Sequence, residues 1–271
     1  MKRSWYATPY AVWMLLFAVV PLLFVCWYAF TTPEGAFTLA NFQEFSKPRY
    51  AGIILRSLKL ALYCTALCLV IGYPTAWFLS GRGFSRAQSL VVLILLPMWM
   101  NLLLRTYAMM TLLDDNGVLN AALAALLLPK IKVIGTEGAV VMGLVYNYLP
   151  FMILPIYTVL QKLDKSYIEA AQDLGADNIK VFTKVTLPLS MPGVVSGIMM
   201  VFMPTISTFA IAELLTMNNI KLFGTIIQEN INNGMWNYGA ALALIMLVII
   251  GLTTLLSDSG KEVEDETGGL I

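Results

Sequence analysis

The side chains that usually perform chemistry are scarce in this sequence, and the place where they gather is informative. There is no histidine, which removes Ser-His-Asp triads, His-ligated metal sites and most general-base chemistry. Cys26, Cys64 and Cys68 all sit within apolar runs and read as small core residues. Cys64 and Cys68 are one helical turn apart, a poor geometry for a disulfide. The longest polar interruption in the second half is residues 167–188, YIEAAQDLGADNIKVFTKVTLP, which carry Glu169, Asp173, Asp177, Lys180 and Lys184. No nucleophile–base pair lies among them. Their chemistry is that of attachment: charges and small residues offered to another surface.

The elements that hold this stretch follow from the residues. Positions 165–174 have helix-forming composition, with Ser166 able to cap and Glu169 three residues on, the spacing of a capping box. Ala170 and Ala171 present a small surface that another protein can approach closely. Gly175 suits the left-handed position that ends a helix. A second short helix, 177–185, precedes Leu187-Pro188 and Pro192, where an apolar block resumes.

The surroundings are those of a membrane. Of 271 residues, 59% are hydrophobic and 12% charged, with mean hydropathy +0.76; soluble domains run near 45–50% apolar and about 25% charged. A crossing needs about 20 apolar residues of helix. Six spans are predicted near 10–30, 58–80, 90–113, 139–160, 193–215 and 238–256, with Pro74, Pro97, Pro150, Pro155 and Pro204 inside them. Residues 119–128 are too short to cross and read as an interfacial or re-entrant helix. The basic start, Lys2-Arg3, precedes an apolar run that is long for a cleaved signal and lacks a small-x-small site, so an uncleaved first span is expected. With Arg82 and Arg86 in the next short turn on that side, the positive charges favour both termini and the 167–188 segment in the cytoplasm. The domain reading is a first span and extracytoplasmic loop (1–51), a core (52–258) and an acidic, solvated tail (259–271). The net charge of +1 gives no field to draw nucleic acid.

Glu169-Ala170-Ala171, then Gly175, Val185 and Leu187-Pro188, resemble the EAA loop of ABC importer permeases, with Val185 where that family most often has Ile. Asp173 lies inside the same loop. The resemblance covers nearly the whole chain and implies the type I importer permease fold: all-α, polytopic, six transmembrane helices, with a cytoplasmic coupling helix that seats in an ATPase subunit. The sequence has no GxxxxGK[ST] phosphate loop, so ATP–Mg would be bound and hydrolysed by a partner ATPase, and this chain is expected to be non-catalytic, with no cofactor or metal of its own. Residues 67–79, 101–107, 143–155 and 160–176 resemble the spermidine/putrescine permeases of the family. That implies a second, PotC-like permease, a cytoplasmic ATPase dimer, an extracytoplasmic polyamine-binding protein, surrounding lipid and a bacterial inner membrane. Permeases for ferric ion, thiamine, sulfate or phosphonate are the alternative within the superfamily. An embedded enzyme lacks its constellation here, and a stand-alone channel would leave the loop without a role.

A polyamine route needs carboxylates, carbonyls or aromatic faces. Asp114, Asp115, Glu213, Trp99, Tyr107 and Tyr146 are the candidates. Each also has a structural reading: a solvated turn for Asp114-Asp115, neutralisation by Lys221 or the second permease for Glu213, interface packing for the aromatics. Arg105 is a cation on that route. It is expected to snorkel or to pair with Asp114 or Glu213, as a static ion pair or as a gate latch.

Overall fold

The computed structural model describes residues 8–43, 45, 47–81 and 84–268. The basic start at Lys2-Arg3 and Arg82 of the expected turn lie outside the described residues. The described residues are helical apart from loops and one isolated bridge between Thr31 and Phe37.

The helices are α1 (Pro9–Ala29), α2 (Ala40–Gln43), α3 (Pro48–Ser80) and α4 (Phe84–Leu95, extended by a 3-10 turn, Leu96–Trp99). Then come α5 (Leu102–Leu113), α6 (Val118–Ala125), α7 (Glu137–Lys162) and α8 (Lys165–Asp173). Last are α9 (Asn178–Ser207), α10 (Ala210–Thr216), α11 (Phe223–Asn232) and α12 (Trp236–Gly268). Helices α1, α3, α7, α9 and α12 are long and apolar enough to cross a bilayer, and the bent pair α4 with α5–α6 makes a sixth span if taken as one.

Four sequence expectations change. The span expected over 90–113 is broken at Met100-Asn101, and the two halves meet at 95°. Pro97 lies in the 3-10 turn that ends the first half, and the Asn101 side chain accepts the Leu103 N–H at 2.8 Å, capping the second. The span expected over 193–215 ends at Ser207, so Glu213 belongs to the separate α10. The polar stretch does not break at Leu187-Pro188. It runs as one helix from Asn178 into the membrane, with a π turn at Phe182–Thr186. Pro188 has no N–H to offer the Lys184 carbonyl, and a widened turn accommodates that loss. The acidic tail read as solvated, 259–271, continues the helix to Gly268.

By its contacts the chain divides into two units, the described parts of 1–55 with 223–271, and 56–222. In the first, α12 packs on α1 and α11. Ala29, Ala240 and Ala241 are buried at the α1 contact, and Phe223, Ile226 and Leu242 form a second cluster. Amide side chains tie off the end of α1: Asn41 Nδ2 donates to Ala29 O (2.9 Å) and Thr31 O (3.0 Å), and Asn237 Nδ2 donates to Thr31 O (2.7 Å). The second unit is built on α7 against α9, with Met152, Ile153, Ile156, Val194 and Val201 in the core. Glycines set the closeness of this contact: a Cβ on Gly193 would stand 2.9 Å from Pro155 O, and one on Gly197 would stand 2.8 Å from Met152 Sδ. Arg56 of α3 and Glu137, the first residue of α7, form a half-exposed ion pair at 3.2 Å.

Candidate functional site

The polar segment folds because each of its ends is capped. Asp164 Oδ1 accepts the Ser166 N–H at 2.9 Å and starts α8. The cap is therefore Asp164 and not Ser166, and the Ser166–Glu169 box is not formed. Accepting that N–H holds the exposed Asp164 carboxyl below its ordinary value. At the other end Gly175 takes φ +81°. Its N–H donates to Gln172 O (2.8 Å) and the Ala176 N–H to Ala171 O (3.0 Å), the paired bonds of a Schellman turn. Asp177 Oδ1 then accepts the Lys180 N–H at 2.9 Å and starts α9.

No residue of α8 is buried. Glu169, Ala170 and Asp173 are exposed and Ala171 is half-buried. Leu174, at 90% exposure, and Tyr167 and Ile179 project their apolar bodies outward. The short capped helix and the start of α9 thus present uncovered Tyr167, Leu174 and Ile179 among charges, the kind of exposed apolar surface that marks an interaction site. Leu187 and Pro188 begin the apolar length of α9; Leu187 packs against the core and Pro188 is exposed.

The route residues separate into groups. Asp114 and Asp115 line a cleft of about 430 Å³ with Lys132, Gly135, Thr136, Met217 and Asn219. The Gly117 N–H donates to Asp114 O at 2.8 Å, so the turn reading and the cleft coexist. Glu213, half-buried on α10, is not among the residues of that cleft, nor are Trp99, Tyr107 and Tyr146. Trp99 lies on the 3-10 turn, 81% exposed, and Tyr107 and Tyr146 are exposed on α5 and α7. The left-handed backbone at Met217 (φ 51°) and Asn218 (φ 63°) closes α10, where the Asn218 N–H donates to Glu213 O.

Arg105 is 8% exposed, and its Nε and Nη1 atoms make no hydrogen bond among the described residues. No ion pair joins it to Asp114 or Glu213 among the described residues. Asn147 Oδ1 on α7 is another buried atom without a partner, while its Nδ2 donates to Gly143 O. Among the described residues no cluster of His, Cys, Asp or Glu is placed to hold a metal.

Sequence reasoning missed the inner side of the exposed segment. Phe182 turns inward onto α3, its ring centroid 5.8 Å from Tyr73 and 5.4 Å from Trp77. Two turns further along α9, Ser190 Oγ lies 2.8 Å from Tyr73 Oη, fully buried. The only sequence signal was an aromatic inside a polar run.

Residues 69–262 match the family described as binding-protein-dependent transport system inner membrane component. The chain is 36% identical over 253 residues to the spermidine/putrescine transport system permease protein PotB of Escherichia coli (strain K12), covering 90% of this chain and 92% of that one. It is 37% identical over 254 residues to the PotB protein of Haemophilus influenzae, covering 90% and 87%. In fold it is similar to a chain of the bacterial alginate ABC transporter solved with its pentasaccharide-bound periplasmic protein. There the TM-score is 0.75 at 17% identity, over 94% of this chain and 93% of that one.

Proposed function

This chain belongs to the family of inner membrane components of binding-protein-dependent transport systems, and from that premise we propose that it is one permease subunit of an ATP-driven polyamine importer. The substrate class rests on the one-third identity to spermidine/putrescine permeases along nine-tenths of the chain. The coupling role rests on α8, which is capped at both ends and has no buried residue among the described residues.

In this reading α8 seats on a cytoplasmic ATPase that binds ATP–Mg and closes as a dimer. A second, PotC-like permease completes the path, and an extracytoplasmic polyamine-binding protein delivers the solute. Both termini and α8 face the cytoplasm, and the Asp114–Asp115 cleft faces outward. ATPase closure moves α8, and the spans alternate between inward-open and outward-open states. Asp114 and Asp115 supply negative charge at the mouth, and Trp99, Tyr107 and Tyr146 offer aromatic faces to ammonium groups.

Uptake of labelled spermidine and putrescine in a strain lacking this chain, with and without it restored, tests the substrate. Restoration of polyamine uptake is expected. Restored uptake of ferric ion, thiamine, sulfate or phosphonate in place of polyamine would move the chain to another branch of the family.

A further inference from the structure

The coupling reading leaves open how movement of an exposed helix reaches the rest of the bundle. The peptide link from α8 to α9 is a tight turn at Gly175, and from Asn178 the chain is continuous helix into the membrane. Displacement of α8 therefore acts on the first turns of α9. Those turns contain one π segment, Phe182–Thr186, an altered stretch of helical ladder of the kind that often marks a functional site. Two side chains of this base reach the same face of α3. Phe182 packs edge-on against Tyr73 (83° between rings) and at a tilt against Trp77, residues one helical turn apart on α3. Ser190 meets the Tyr73 hydroxyl at 2.8 Å. Ser190 gives its own hydrogen to Leu187 O at 2.9 Å, so Tyr73 is the donor and Ser190 Oγ the acceptor.

The bond is sealed from water, with Tyr73 at 8% and Ser190 at 0% exposure. A buried hydrogen bond resists separation because each group left alone carries its desolvation cost. Next to Tyr73, Gly72 lets Met152 of α7 within 3.0 Å of where a Cβ would stand, so α3 at this level is locked to α7 as well.

We propose that Phe182 is a positioning residue that transmits the movement of α8 to α3, with the Tyr73–Ser190 hydrogen bond as the fixed point about which the base of α9 levers. The proposal rests on the coupling role given to α8 above. Phe182 touches neither the ATPase face nor the solute path; it acts through Tyr73 and Trp77.

The test uses the complete assembly in liposomes: this chain, the second permease, the ATPase pair and the binding protein. It reads spermidine accumulated per ATP hydrolysed, per assembled complex, a ratio that a merely structural defect does not move. Phe182→Ala is expected to lower the ratio at least about fivefold, the lower end of coupling between sites, and Phe182→Tyr to restore it. Tyr73→Phe, which deletes one hydroxyl, is expected to lower it in the same direction. Glu169→Lys, on α8 itself, is the reference. If Glu169→Lys leaves the ratio intact, the coupling role of α8 is wrong and the relay falls with it. If Glu169→Lys lowers the ratio while Phe182→Ala keeps the wild-type value, the relay alone is overturned. Should Phe182→Ala fail to assemble, Tyr73→Phe decides: an unchanged ratio overturns the proposal and a lowered one supports it.

Discussion

Gly175 shows how much one residue settles. Its φ of +81° is a conformation that L side chains rarely adopt, yet a Cβ there would meet nothing within 4 Å. A substitution therefore acts through the backbone alone. Gly175→Ala is expected to cost about 1 kcal/mol of loop stability, Gly175→Asn less, since Asn tolerates this region. Gly175→Pro is expected to do more damage, because it also removes the N–H given to Gln172 O. Spermidine accumulated per ATP should fall in the order Asn, Ala, Pro. Asp164 carries a pH dependence with a definite sign. Its carboxyl is held below the ordinary value by the Ser166 N–H, so the cap is complete above the unfolded value near about 3.9 and is lost as pH falls through the depressed one. Hydrogen-exchange protection at the Ser166 amide should fall over that window, and Asp164→Asn should flatten the dependence. Arg105 makes the opposite kind of prediction. A buried guanidinium with two unmet atoms is replaceable: Arg105→Met in the isolated chain should be neutral or stabilising by up to about 1–4 kcal/mol. A lowered melting midpoint would mean that the charge is already satisfied. At this scale the sequence was legible where residue type dictates conformation, as at Gly175. It misled at the start of α8, where Ser166 reads as the cap and Asp164, two residues earlier, caps instead, since local chemistry allows either.

At the scale of elements, hydropathy located the spans but not their interruptions. Residues 96–101, LPMWMN, stay apolar up to Asn101, so a hydropathy window passes through the 95° break without registering it. The signals present were Pro97 and a capping Asn, and those were overridden by the long apolar run. The converse happened at Leu187-Pro188: the proline reads as a boundary, yet a π turn absorbs it and the helix continues. The α7–α9 contact yields a prediction that depends on which atoms are met. A Cβ on Gly193 would lie 2.9 Å from Pro155 O and 3.1 Å from Ile156 Cα, backbone atoms that cannot step aside. On Gly197 the nearest atom is the flexible Met152 Sδ. Gly193→Ala is expected to lower the stability of the purified chain by about 1–3 kcal/mol, and Gly197→Ala by less, as read by thermal unfolding in detergent. Equal effects would mean that the α7 backbone yields as readily as a side chain.

For the whole molecule, the residue spacing of the 167–188 segment was informative about family, because that spacing is a local property. The contact of Tyr73 with Ser190 joins residues 117 apart, and such pairings are decided by packing, which no local pattern records. The same limit applies to the solute path: the chain brings Asp114 and Asp115 to one cleft but leaves Glu213 and the aromatics elsewhere. The central claim is that α8 is the face on which an ATPase sits, and it is most directly tested by cross-linking in the assembled transporter. A photo-activatable residue is placed at Leu174, 90% exposed at the end of α8, and in a separate sample at Leu127, 95% exposed just beyond α6. The account predicts that Leu174 captures the ATPase subunit and Leu127 does not. Capture from Leu127, or none from Leu174 in an assembly that hydrolyses ATP, would contradict it.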